Sequence, residues 1–233
     1  MLPEIKQLLH LQAIDEHLAD AAARVARLED ESQRLHGQIK TERAAVDASR
    51  EALSALEHDS RMKNLEVDNL HMQIGGYEKR LNEGIISFKE MEDLRIKIES
   101  ERARINQLED DALSLMDAIE ERARAQGDAE SHLVTKEDDL RRRISEARAE
   151  IEVTNAQLVE LTAERGRVTE AVQTYLVSQY ETLHAKFAHP VAEIRNGTCT
   201  GCKLRVSGNT SERARGEMGV VTCEHCSRIL YAA

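Results

Sequence analysis

Asn82-Glu83-Gly84-Ile85-Ile86-Ser87, preceded by Gly75-Gly76, interrupts a pattern that otherwise runs almost the length of the chain. Asn-x-Gly followed by β-branched residues breaks a helix and suits a connection. On its N-terminal side apolar residues recur at alternating steps of three and four: Leu11, Ile14, Leu18, Ala21, Val25 and Leu28, then Leu35, Ile39, Val46, Leu53, Leu56, Val67, Leu70, Ile74, Tyr77 and Leu81. Ser32, Glu42, Ser49, Ser60 and Lys63 fill the remaining register positions. So sustained a repeat is a coiled-coil seam rather than the broader stripe of a globular helix.

A second seam follows the interruption. It runs through Met91, Leu94, Ile98, Ile105, Leu108, Ala112, Leu115 and Ile119, then Leu133, Leu140, Ile144, Ala147, Ile151, Leu158, Leu161, Val168 and Tyr175. Around Gly127 one extra four-residue step keeps the register on apolar positions, which reads as a stutter. Glycine also weakens a helix, so a bend or irregularity is expected there. The only two prolines, Pro3 and Pro190, bracket the whole region, and proline breaks helix interiors. The residue before a proline avoids helical geometry, which makes His189 a boundary.

Folding the chain at Gly84 pairs residues whose numbers sum to about 168 and places Gly166 opposite Leu2, so the arms match in length. Each arm of roughly 80 residues would extend about 120 Å at 1.5 Å per residue. The expected fold is mainly α: a long antiparallel two-helix coiled-coil hairpin over residues 1–189, its tip near 82–88, followed by a small module over 190–233. A long intermolecular coiled coil with Gly84 as a mere kink is the alternative.

All four cysteines lie in that last module, as Cys199-Thr200-Gly201-Cys202 and Cys223-Glu224-His225-Cys226. Two CxxC turns, each offering two thiolates and separated by about 15–20 residues, suit a closed tetrahedral site for one structural zinc ion. Two disulfides or two redox pairs are the competing readings. Disulfides require an oxidising compartment, and Met1-Leu2-Pro3-Glu4-Ile5-Lys6 does not begin an export signal. A cytoplasmic protein is expected. His225 between two cysteines is a weaker competitor for a ligand position. Lys203-Leu204-Arg205-Val206, Val220-Val221-Thr222 and Arg228-Ile229-Leu230-Tyr231 read as short strands of a zinc ribbon. So small a module relies on metal for most of its stability, and four protein ligands leave no open position for catalysis.

Composition narrows the function classes. Charged residues make up 32% and aromatics 3%, which suits a thin rod with charged faces rather than a large core. No run is apolar enough to cross a membrane. Net charge is −11, and residues 190–233 carry six Lys/Arg against four Asp/Glu, which leaves an acidic rod that repels phosphates. Arg141-Arg142-Arg143 follows Glu137-Asp138-Asp139 and reads as a solvated charged face. The chain lacks a Walker glycine loop, an HExxH helix and a GxSxG elbow, so a non-enzymatic role is expected. Tyr77, Ile85, Ile86, Phe88 and Met91 gather at the tip as candidate partner-binding residues, against the simpler reading that they pack locally. Tyr175, Tyr180 and Phe187 at the base read as packing between rod and ribbon. Arg195, Lys203, Arg205, Arg213, Arg215 and Arg228 are the concentrated basic residues available to nucleic acid.

The zinc-ligand spacing, a hairpin of this length and the ending Cys223-Glu224-His225-Cys226-Ser227-Arg228-Ile229-Leu230-Tyr231 together resemble the bacterial family of four-cysteine zinc ribbon proteins with an N-terminal coiled-coil hairpin. Ser87-Phe88-Lys89-Glu90-Met91-Glu92-Asp93-Leu94 matches the helix start at that family's tip. The resemblance implies a non-enzymatic adaptor or chaperone, with flagellar or type III secretion components or an enhancer-dependent sigma factor as partners, and RNA or DNA binding by the ribbon as the alternative. A monomer or weak dimer is expected. Two departures stand out: many members carry Gly where this chain has Ser227, and a Pro pair where Ser207-Gly208 stand.

Overall fold

The computed structural model describes residues 2–216 and 219–232. Eight elements follow one another: α1 (Pro3–Glu83), α2 (Phe88–Ala171), α3 (Thr174–His184), β1 (Val191–Arg195), β2 (Thr198–Cys199), α4 (Gly208–Arg215), β3 (Val221–Thr222) and β4 (Ile229–Tyr231). α1 and α2 pair antiparallel within one chain, so the intramolecular hairpin holds and the intermolecular alternative does not. The chain divides into two compact units, one made of Arg34–Arg143 and one made of the chain's two end regions, where the helix ends and the ribbon share a unit.

In the first unit the seams meet as the repeat requires. Leu70, Ile74, Ile98, Ile105 and Leu108 form a buried cluster, with Val67, Tyr77 and Leu81 packed against it. Flanking positions carry ion pairs between the helices: Arg80–Glu90 at 2.5 Å, Arg102–Glu78 at 2.8 Å, Lys63–Asp111 at 2.8 Å and Arg50–Glu130 at 2.7 Å, besides Arg43–Glu137, Lys136–Glu42 and Arg104–Glu66. The numbers of the partners Arg80 and Glu90 centre on Ile85, those of Lys63 and Asp111 on Ser87 and those of Arg50 and Glu130 on Glu90. The expected pivot at Gly84 is therefore a few residues early, because the connection consists of Gly84–Ser87 and lies beyond Gly84 rather than around it.

The turn itself is locally encoded. The Gly84 N–H donates to the Arg80 carbonyl at 3.2 Å, and a Cβ on Gly84 would lie 2.7 Å from that same oxygen. Only glycine closes α1 this tightly. Ser87 then caps α2 by accepting from the Glu90 N–H at 3.2 Å.

The helix irregularity expected near Gly127 does not occur, whereas the extra four-residue step does: the buried seam runs Ile105, Leu108 and Ala112 before it and Leu140, Ile144 and Ala147 after it, so the alternation of three and four is reversed. α2 is helical throughout, and a Cβ on Gly127 would meet nothing within 4 Å, so this exposed glycine lowers helix stability without breaking the helix. Ile119, Gln126, Leu133 and Leu140 follow one another at seven-residue steps. A polar residue holds the seam within this stretch: Gln126 is only 6% exposed, and its amide donates to Glu130 Oε1 at 3.0 Å and toward the Val46 carbonyl at 3.4 Å.

In the second unit the seam does not extend to Tyr175. α2 stops at Ala171 and α3 restarts at Thr174, which rotates the inward face onto Val172, Leu176, Tyr180 and Leu183 and leaves Tyr175 exposed. Those four residues form one core with Ile5, Leu8 and Leu11 of α1 and with Val191 and Ile229 of the strands. The strands make one sheet in the order β2-β1-β4-β3, with β1 parallel to β4 and the other neighbours antiparallel. One side of this sheet packs on the helices. The other encloses a second core of Ala192, Ile194, Val221 and Leu230 with the buried Cys199 and Cys223.

Candidate functional site

Each CxxC pair forms the same turn. After the first, the Lys203 N–H donates to the Cys199 carbonyl and the Cys199 N–H to the Leu204 carbonyl, both at 2.9 Å. After the second, the Ser227 N–H donates to the Cys223 carbonyl and the Cys223 N–H to the Arg228 carbonyl, again at 2.9 Å. Both turns close through a residue in the left-handed region, Lys203 at φ +62° and Ser227 at φ +63°. This gives the Ser227 departure a physical meaning: glycine would occupy that conformation without steric conflict.

The turns bring the four sulfurs together. All lie within 4.8 Å of one another, with Cys199 Sγ 4.0 Å from Cys226 Sγ and Cys202 Sγ 3.7 Å from Cys223 Sγ. Thiolates at about 2.3 Å around a tetrahedral metal stand about 3.8 Å apart, so the cluster already has the dimensions of a four-sulfur metal site. Burial pushes the Cys199 thiol up, and that of Cys223 to about 12. Burial also opposes ionisation of Cys226, but hydrogen bonds from the Arg228 backbone and side chain and from neighbouring thiols outweigh it and bring Cys226 down to about 7. N–H groups of Gly201 and Cys202 point at the Cys199 sulfur, and those of His225 and Cys226 at the Cys223 sulfur. These donors stabilise thiolates, and a bound cation would supply the remaining compensation for four sulfurs in so small a volume. His225 stays outside the set; its Nε2 lies 3.1 Å from the Arg205 carbonyl oxygen.

Arg228 ties this centre to the helical base. Its Nε donates to the His189 carbonyl at 2.9 Å, its guanidinium lies 3.8 Å over the Phe187 ring, and its stem fills the space beside Gly201. A Cβ on Gly201 would come within 2.6 Å of that stem. Of the six basic candidates, Arg228 is thus engaged internally, and Arg195 Nη2 donates to Glu193 at 2.6 Å. Lys203 and Arg205 are exposed beside the first turn, and Arg213 and Arg215 are exposed on the last turn of α4.

At the tip the five candidates divide. Ile85 and Phe88 stand out at 108% and 77% exposure, Ile86 and Met91 are half-buried, and Tyr77 packs on the seam core.

The sequence reading missed a polar cluster in the base. Asp15, 5% exposed, accepts from Arg165 Nε at 2.6 Å and Nη2 at 3.3 Å and from the Tyr180 hydroxyl at 2.9 Å. Arg165 also reaches Glu181 at 2.6 Å, and the His184 ring stacks on Tyr180. A carboxylate directly after seam residue Ile14 was the available signal. Nearby, Gln12 Oε1 accepts from the Val191 N–H at 2.9 Å and His189 Nδ1 sits 2.8 Å from Glu16, so α1 holds the strand that leads into the cysteine turns. Ser207 caps α4, and its hydroxyl and that of Thr210 both donate to Glu224 inside the second CxxC at 2.6 Å.

A family model described as the CT398-like coiled coil hairpin domain matches residues 11–188. No curated protein matches the chain. Among solved structures it is similar to CT398 from Chlamydia trachomatis, at 21% identity and a TM-score of 0.86, over 99% of this chain and 98% of that one. A protein from Mycobacterium smegmatis is 20% identical with a TM-score of 0.77, over 100% and 99% of the two chains. HP0958 from Helicobacter pylori is 19% identical with a TM-score of 0.55, over 98% and 97%. At such identities the likeness carries the fold and not an activity. Among the described residues, no helix is long and apolar enough to cross a membrane.

Proposed function

The chain belongs to the CT398-like coiled-coil hairpin family, and within it we propose a non-enzymatic, zinc-stabilised adaptor or chaperone of the bacterial cytoplasm that binds a protein partner through its hairpin tip. The observation that carries this reading is the exposure of Ile85 and Phe88 on a turn fixed by Gly84, the Ser87 cap and the Arg80–Glu90 pair. Two large apolar side chains presented on a rigid support are typical anchors of a protein interface, and rigidity lowers the entropy lost on binding. Flagellar or type III secretion components, or an enhancer-dependent sigma factor, are the partners that the resemblance of the ribbon ending implies.

Cys199, Cys202, Cys223 and Cys226 would hold one zinc ion. Four soft thiolates in a closed tetrahedron favour zinc, and a zinc ion without an open position acts structurally rather than catalytically. Metal analysis of the purified protein should give one zinc per chain, lost in Cys223→Ser; iron in its place would refute the zinc assignment. For the partner, the tagged intact protein is crosslinked in cells and recovered with and without nuclease. Protein partners that survive nuclease and disappear on changing Ile85, Ile86 and Phe88 to serine support the tip. Retention of every partner by that variant refutes it. Exposed Lys203, Arg205, Arg213 and Arg215 favour nucleic acid as the second reading, which requires partners that vanish with nuclease.

A further inference from the structure

The α1–α2 pair has two flanking grooves at its base, and the chain fills one of them itself. α3 lies there, with Leu176, Tyr180 and Leu183 sharing a core with Leu8 and Leu11, and the Tyr180 hydroxyl bonded to Asp15. Lys6 and His10 face the other way, about half a turn round α1 from Leu8 and Asp15 at 3.6 residues per turn. With Gln7 they form one wall of a second groove, whose other wall is Arg167, Val168 and Ala171 of α2; its volume is about 360 Å³.

Three features of this groove specify an occupant. Its floor is apolar, from Val168 and Ala171, and the methylene stems of Lys6 and Arg167 extend it. Its borders are cationic: neither Lys6 nor Arg167 has an ion-pair partner among the described residues, and the one carboxylate in the lining, Glu164, is taken by His10 at 3.0 Å. Elsewhere flanking cations find carboxylates across the helix pair, as Arg24 does with Glu150 and Arg50 with Glu130. Finally, the twin groove is already occupied by a short helix, so helix-in-groove packing is the geometry this base accommodates.

We propose that the open groove docks an acidic amphipathic helix of a partner protein, its apolar stripe on Val168 and Ala171 and its carboxylates on Lys6 and Arg167. The lined length, from Glu164 to Ala171, is about 10 Å at 1.5 Å per residue, so roughly two turns of the guest make contact. This surface is separate from Ile85 and Phe88 and does not depend on the tip reading.

The test uses the intact, metal-loaded protein and a fluorescein-labelled helical peptide of about 16 residues, with leucines at i, i+3, i+4 and i+7 and glutamates elsewhere. A second peptide carries lysine in place of every glutamate. Fluorescence anisotropy should detect binding of the acidic peptide only, weakened by salt. Reversing both exposed cations, Lys6→Glu with Arg167→Glu, should weaken it about tenfold or more without changing the circular dichroism melt. A photo-crosslinker at Gln7 should capture the peptide, and the variant with serine at Ile85, Ile86 and Phe88 should bind it normally. The proposal is overturned if the acidic peptide does not bind, if it binds the charge-reversed protein equally well, or if Gln7 crosslinks to a second copy of the chain. It is also overturned if the two cations prove to capture anionic phospholipid vesicles and not the peptide.

Discussion

Replacing Asp15 by Asn removes the charge at the centre of the base while keeping its shape. Asp15 accepts three hydrogen bonds, two from Arg165 and one from Tyr180, and is almost wholly buried. Breaking a buried ion pair by removing one partner costs about 3–5 kcal/mol when the other charge is left uncompensated. Here Arg165 keeps 27% side-chain exposure and its bond to Glu181, so the expected loss is nearer about 2–3 kcal/mol. For a chain of this size that lowers the melting midpoint by roughly 4–12 °C. The decisive comparison is the combined change Asp15→Leu, Arg165→Met and Tyr180→Phe. If the cluster fixes the seat of α3 rather than supplying net stability, the triple variant should recover most of the single variant's loss, because apolar packing replaces the buried charges without a desolvation penalty. Urea titration followed by circular dichroism measures both. The reasoning is refuted if Asp15→Asn loses less than about 0.5 kcal/mol, or if the triple variant is as unstable as the single one.

Ser227→Gly should strengthen metal retention in competition with a chromogenic chelator by about 0.5–1 kcal/mol, since relief of the left-handed strain exceeds the added freedom of the unfolded chain; Ser227→Val should weaken it, and equal retention by all three would refute the strain argument. Gln126→Leu should stabilise the hairpin by about 1 kcal/mol, because Gln126 Oε1 is buried without a partner among the described residues; a lower urea midpoint would show that the amide is needed there. Asp111, Glu130 and Glu137 are held below the usual carboxylate range by hydrogen bonds from Lys63, Arg50 and Arg43 respectively. A depressed folded-state pKa stabilises above the unfolded value and loses that contribution as pH falls through the folded one, so the hairpin's melting midpoint should drop between about pH 5 and pH 3. An unchanged midpoint over that range would mean the ion pairs contribute nothing.

Much of the architecture was legible because it is repetitive or local. The seam is a count of threes and fours, the turn is a glycine that must approach Arg80 and a serine cap, and the candidate metal site is four cysteines at short fixed spacing. Errors came where a single residue type stood for a pattern. Gln126 broke the apolar count without opening the seam, since a long side chain with an amide can fill a seam position and still reach a carbonyl. Gly127 signalled a break that the flanking helix formers override.

Chain-distant partners were invisible for a different reason. Asp15 and Tyr180 lie far apart in sequence, and no periodicity announces that a carboxylate beside the seam will meet a tyrosine on a third helix. Likewise, nothing in the run Ser227-Arg228 says that one residue sits at positive φ while the next seats itself over Phe187 and against Gly201. By itself the sequence determined the helical hairpin, the place of its turn and the four-sulfur set, because these follow from periodicity, backbone sterics and donor spacing. Only the tertiary structure decided the register of the helices, the seating of the sheet on the base and which charges are paired or left open, because those depend on which surfaces meet when the chain packs.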